Sequence, residues 1–189
     1  MYTLVRLKYL LLLPVLLSCS NSITESVLDD VLGQKIFFEV EYINHAWGYA
    51  HMGIHIGDSG DIYSYRYDPS NPEDQWLPNQ DGVYTEKKLF EKFDHQKLFV
   101  RTIDEKELIH MIILISSANK GGLSQPVSTA NDFGIWSFKT YTYDNAVKKY
   151  TEVILRVEGD WFAENKTWQA SIIALWLEAQ KAYWLESFK

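Results

Sequence analysis

Three of the chain's five histidines, His45, His51 and His55, fall within one stretch, NHAWGYAHMGIHIGD, residues 44–58. Imidazoles at that density suggest metal ligation or proton transfer, and each makes a geometric demand. On a helix, His51 and His55 would lie one turn apart and could share an ion, as in HExxH sites. On a strand they would project from one face roughly 13 Å apart, at ~3.3 Å per residue. Two zinc-bound nitrogens must both lie about 2.0–2.1 Å from the metal, so a strand cannot chelate with this pair alone. Proton transfer needs a group to activate, and the chain carries neither a GxSxG elbow nor an SxxK pattern.

The surrounding residues decide between helix and strand. HMGIHIG and DIYSYRY are alternating runs joined by Asp58, Ser59 and Gly60. A three-residue connection with glycine last is a hairpin loop whose final residue takes a left-handed conformation. That register sets Ile56 against Ile62, His55 against Tyr63, Gly53 against Tyr65 and His51 against Tyr67. Met52, Ile54, Ile56 and Ile62 then share one face. His51, His55, Tyr63, Tyr65 and Tyr67 share the other, with Tyr65 lying over Gly53. These five are the candidate binding residues. No catalytic residue, metal ligand set or cofactor motif is assigned. Asp58/Asp61 and Glu39/Glu41 are expected to be solvated carboxylates, and the KGG after residue 119 ends a helix rather than cradling a phosphate.

The elements that position the hairpin follow from pattern. KIFFEVEYI alternates and reads as a strand. TESVLDDVLGQ is a short helix ending near Gly33. TEKKLFEKF is a helix capped by Thr85, and KLFVRTI is a strand. In DEKELIHMIILISSANKGG, Asp104 caps a helix with Glu107 three residues on and the stripe Leu108, Met111, Ile112 and Ile115. FGIWSFKTYTYD and KYTEVILRVEG form paired strands. The last helix is capped by Asn165 or Thr167 and buries the stripe Trp168, Ile172, Leu175, Trp176, Ala179 and Tyr183, with Trp161 and Trp168 packing as a lid. This order predicts an α+β fold, a single domain over residues 36–189 with a mainly antiparallel sheet and helices packed on one side.

The N-terminus supplies an address. MYTLVRLKYLLLLPVLLS has a cationic start, Arg6 and Lys8, then an apolar run too short to span a bilayer, which needs roughly 20 residues. LLSC resembles a bacterial lipobox, so residues 1–18 read as a lipoprotein signal peptide and Cys19 as the lipidated first residue of the mature chain. Residues 19–35 then form a polar tether and the short helix. Cys19 is the only cysteine, which excludes an intramolecular disulfide, a thiol nucleophile and cysteine-rich zinc sites. Ser20 follows it; by resemblance to enterobacterial sorting this favours the outer over the inner membrane. Loss of Arg6 and Lys8 with the leader changes the formal charge from −7 to −9. A field of that sign repels phosphate backbones and excludes nucleic acid as a partner.

The NHAWGY to IYSY region, DFGIWSFKTYTYD and the GDWFAEN segment with its following helix together resemble uncharacterised bacterial envelope lipoproteins over about residues 36–178. The resemblance implies a membrane-anchored single domain and carries no activity with it. The expectation is a non-enzymatic lipoprotein that binds a protein or glycan partner in the cell envelope. Two other readings remain open: an envelope-polymer hydrolase using His51 or His55 with an unidentified acid, and a periplasmic immunity or inhibitor lipoprotein.

The anchor has a direct test. A single acyl chain binds membranes only marginally, whereas several chains on one cysteine hold firmly. Replacing Cys19→Ala is expected to move the protein from the membrane pellet to the soluble fraction. A variant that still pellets through a carbonate wash would refute lipid anchoring at this residue.

Overall fold

The structure, a computed structural model, describes residues 33–46, 48–68, 70–71, 75–130 and 132–187. The leader, the lipobox with Cys19, the tether and the TESVLDDVLGQ helix lie outside them.

KIFFEVEYIN forms strand β1 (Ile36–Asn44), followed by β2 (Ala50–Gly57) and β3 (Asp61–Arg66). The β2–β3 register sets Ile56 against Ile62, His55 against Tyr63 and Gly53 against Tyr65, and the Tyr67 N–H donates to the His51 carbonyl at 2.9 Å. Gly60 takes φ +79, the left-handed position that the three-residue loop requires. Next come β4 (Val83–Thr85), α1 (Glu86–Phe93), β5 (Leu98–Thr102) and α2 (Glu105–Ala118). They are followed by β6 (Val127–Ser128), β7 (Ile135–Asp144), β8 (Lys149–Gly159), β9 (Trp161–Glu164) and α3 (Trp168–Glu186). The short strands β4, β6 and β9 are additions to the sequence reading; two to four residues are too few to display an alternation.

The strands make one nine-stranded sheet in the order β5-β3-β2-β1-β7-β8-β9-β6, with β4 paired to β8. Every pairing between strands is antiparallel. The fold is α+β, and Gln34–Lys189 is one compact unit. Among the described residues no helix is long and apolar enough to cross a membrane.

Alternation gives the sheet two unlike faces. Phe38, Val40, Ile54, Ile56, Ile62 and Phe138 make an apolar face, all at most 1 % exposed. Helix α3 covers it, Trp176 meeting Phe38 edge-on at 5.1 Å and Trp184 meeting Trp136 at 6.5 Å, and α2 packs on α3. Asn165 joins these helices. Its Nδ2 donates to the carbonyls of Ala118 and Gly121 at the end of α2, and its Oδ1 accepts from Thr167, whose hydroxyl caps α3. Gly121 is a glycine because a Cβ there would run into the Asn165 side chain. The opposite face carries Glu39, Glu41, His51, His55, Tyr63, Tyr65 and Tyr141, and α1 lies on it, so helices cover both faces rather than the one side expected, because Lys92 of α1 must reach the two carboxylates.

Two expectations about the last helix are corrected. The residues it buries are Ala170, Ile173, Ala174, Leu177, Gln180, Lys181 and Trp184, rotated from the stripe anticipated. Trp168, Ile172, Leu175 and Tyr183 are instead exposed by 63, 39, 64 and 48 %. Both sides of this helix are apolar, the buried one with Ile173, Leu177 and Trp184 and the exposed one with Trp168, Ile172 and Leu175, so periodicity does not choose between them. Trp161, 48 % exposed, and Trp168 therefore do not close a lid.

Tyr65 lies over Gly53 on the polar face. A Cβ at residue 53 would press into the Val40 carbonyl oxygen and sit 2.6 Å from the Tyr65 hydroxyl oxygen. Gly53→Ala is therefore expected to destabilise by at least about 1–3 kcal/mol, the scale of forced overpacking. A denaturant melt with unchanged midpoint and slope would show that the sheet absorbs the methyl.

Candidate functional site

Glu39 and Glu41 are two residues apart on β1, so both side chains leave the same face. They are 0 and 3 % exposed, which corrects the expectation of solvated carboxylates. Burial of two carboxylates is tolerable only with counter-charges, and these come from distant elements. Lys92 of α1 reaches both, with Nζ 2.6 Å from Glu39 Oε1 and 2.6 Å from Glu41 Oε1. Lys139 of β7 lies 2.5 Å from Glu41 Oε2, 3.0 Å from Glu152 and 3.7 Å from Glu39. The hydroxyls of Tyr65 and Tyr141 both donate to Glu39, the latter at 2.5 Å. Three carboxylates and two ammoniums thus form one buried network beneath α1.

His51 joins this network. Its Nε2 is 2.8 Å from Glu41 Oε1 and its Nδ1 is 3.0 Å from the Tyr49 hydroxyl, which also accepts the Trp76 N–H at 3.1 Å. Burial pushes the His51 imidazole down despite the pull of Glu41. Burial alone would raise the Glu41 carboxyl, but Lys139, Lys92 and His51 hold it well below the usual range. Burial likewise works against the Lys139 charge, and Glu41, Glu152 and Glu39 outweigh it and raise its pKa well above the ordinary value. Burial and Glu39 keep Tyr65 protonated. Glu41 is an acid partner for His51, the pairing a hydrolytic base would use. Both imidazole nitrogens are engaged, however, and the residue is 1 % exposed, so no substrate atom reaches the pair.

The five candidate binding residues therefore divide. His51 and Tyr65 belong to the sealed network. Tyr67, 3 % exposed, stacks on His51 at 4.6 Å and on His95 at 4.1 Å. It borders a cleft of about 560 Å³ with Trp76, Lys88, Lys92 and His95. Lys88 and Lys92 lie 5.2 and 5.3 Å from the Trp76 ring centre.

His55 and Tyr63 line a separate space of about 250 Å³ on the other side of α1, walled also by Phe90 and Phe93 and rimmed by Lys35, Asp58, Ser59, Asp61, Asp94 and Lys97. The His55 ring stacks on Phe93 at 4.3 Å and on Tyr63 at 5.8 Å. Its Nδ1 is buried and has no hydrogen-bond partner among the described residues. Burial, assisted by Lys97 and Lys92, pushes the imidazole down to about 3. A sealed polar atom without a partner costs about 1–3 kcal/mol, and native proteins contain few of them. Among the described residues no set of three His, Cys, Asp or Glu side chains is placed to hold a metal ion.

Sequence pattern located His55 and Tyr63 through the hairpin register. It did not find Lys92, Phe90 or Phe93; the only available signal was that a short capped helix, TEKKLFEKF, carries two phenylalanines and a lysine on one side. No family model, curated protein or solved structure matches the chain.

The two depressed histidines set an acid dependence. Each binds a proton more readily unfolded than folded, so its contribution to stability is full above about pH 6.5 and is lost as pH falls. For His55 the window runs from 6.5 down to about 3, at about 1.4 kcal/mol per pH unit. His55→Phe, which keeps the ring stack, is expected to leave stability at pH 7 unchanged or raised and to flatten its decline between pH 6 and 4. Chemical melts across that range that decline equally in both proteins would contradict a neutral buried His55.

Proposed function

We propose that the protein is a non-enzymatic lipoprotein of the bacterial envelope, anchored through Cys19, that binds the end of a glycan chain in the pocket beside α1. The observation that carries this reading is His55: a buried imidazole nitrogen without a hydrogen-bond partner among the described residues, in a ring stacked between aromatic rings beside a small pocket. Phe93 does not need a histidine beside it for packing, and an apolar ring there would avoid the cost of the unpaired nitrogen. Groups kept against stability belong to binding or catalysis more often than to the core.

The lining indicates the ligand class. Pockets for drug-sized molecules run from about 300 to 1,000 Å³, so a space of about 250 Å³ takes a single ring or terminal group. Phe90 and Tyr63 offer apolar ring surfaces to the C–H face of a sugar, and Phe93, 2 % exposed, backs the His55 ring. Ser59 and the carboxylates of Asp58, Asp61 and Asp94 offer donors and acceptors to its hydroxyls, and the sealed His55 nitrogen, in a residue 3 % exposed, reaches one only when the ligand displaces or turns the ring. Rim lysines are balanced by carboxylates, Lys35 pairing with Asp58 at 2.6 Å and Lys97 with Asp94 at 3.7 Å, which suits an uncharged ligand. An outer-membrane position, favoured by Ser20, would place the pocket among envelope polysaccharides.

Titration calorimetry with neutral oligosaccharides and soluble peptidoglycan fragments tests the reading. At least one is expected to bind, and His55→Phe to weaken it tenfold or more while the melt at pH 7 shows an intact fold. Failure of every fragment to bind, or equal binding by His55→Phe, would refute a glycan site here.

A further inference from the structure

The outward side of α3 is unusual for a helix packed on a sheet. Trp168, Ile172, Leu175 and Tyr183 are exposed by 63, 39, 64 and 48 %, and Ala179 and Ala182 are exposed with them. Successive members are spaced four, three, four and three or four residues apart, the repeat with which one helix meets another along a seam. The inward side is already committed to the sheet through Ile173, Leu177 and Trp184. A helix apolar on both sides has more than one neighbour to satisfy; the fold supplies the sheet and, along one flank, α2, and the outward stripe is still left exposed. Apolar patches beyond a few hundred Å² on a monomer mark interaction surfaces, and Trp and Tyr are the side chains that dominate such contacts.

We propose that this stripe is the interface of a two-fold, antiparallel pair of α3 helices from two copies of the chain. A two-fold axis beside Leu175 would set Trp168 against the copy's Tyr183 and Ile172 against its Ala179, so each large ring or branched chain meets a complementary position. The stripe bears no charge between Trp168 and Tyr183, so association along it escapes the repulsion that a net charge of −7 imposes elsewhere. Its ends are charged and opposite. Lys166 precedes the helix and Glu186 closes it; both are exposed, and neither makes an ion pair within the described residues. Antiparallel pairing brings Lys166 of one copy beside Glu186 of the other, twice, as an isologous interface requires. A parallel pair would oppose like charges at both ends. A bilayer surface fits less well, because helices lying on anionic lipid carry several free cations on their flanks. Lys181, the lysine within α3, is held by Glu158 at 2.9 Å and Glu178 at 2.8 Å.

Thiol cross-linking in the full chain, with Cys19→Ala so that the introduced cysteine is alone, tests the arrangement. Leu175→Cys is expected to yield a disulfide-linked dimer on mild oxidation, several-fold above Lys149→Cys, an exposed position at the far end of β8. Lys166→Glu or Glu186→Lys alone should lower the yield, and both together in one chain should restore it. A Leu175→Cys yield no greater than the Lys149→Cys control, or linkage only to a different protein, overturns the self-association. Dimer formation that ignores the charge changes, or that the double exchange does not restore, overturns the antiparallel pairing. Neither result depends on whether the His55 pocket binds a glycan.

Discussion

Two buried carboxylates on one central strand set the constraint around which this fold is arranged. Glu39 and Glu41 can be buried only where two ammoniums reach them, and the suppliers are α1 on one side and β7 on the other. Removal of either cation would leave a buried charge uncompensated, a loss of about 3–5 kcal/mol for comparable pairs. The short helix α1 is thus attached to the sheet electrostatically as well as by Leu89 and Phe93, and its position fixes the walls of both spaces beside it. A uniformly apolar face would hold a helix without specifying its register; a lysine that must touch two particular carboxylates specifies it.

The two faces of the sheet solve the burial problem in different ways. Beneath α3 the contacts are apolar and interdigitated. Beneath α1 they are aromatic rings and satisfied ion pairs, with hydroxyls of Tyr65 and Tyr141 filling the remaining valences of Glu39. His51 and His55 lie on the same face of the same strand, yet they differ in kind. His51 has both nitrogens engaged and is a structural member of the network. His55 has ring contacts but a nitrogen without a partner among the described residues, and the proposed binding site rests on that difference.

Much of this was legible in the residues. The hairpin register follows from alternation and a three-residue loop ending in glycine, and the caps of α1 and α2 follow from Thr85 and Asp104. What the residues did not disclose has physical causes. Glu39 and Glu41 look solvated because their partners are 53 and 98 positions away, and no local rule sees across that separation. The side of α3 that packs inward is not legible because both sides carry large apolar residues together with alanines. Strands β4, β6 and β9 were too short to show a period.

The sheet order also bears on how the chain folds. β1 lies between β2, its neighbour in sequence, and β7, whose Tyr141 is 102 residues from Glu39. Local pairing can build the β1–β2–β3 meander early, since each turn closes a short loop. Closing β1 onto β7 requires a loop of about a hundred residues, and non-local pairing of this kind slows folding. Until that closure, both glutamates sit on an open edge in water, charged and hydrated. They act as gatekeepers on an otherwise aromatic strand, opposing its pairing with another chain during the interval in which its proper neighbour is missing.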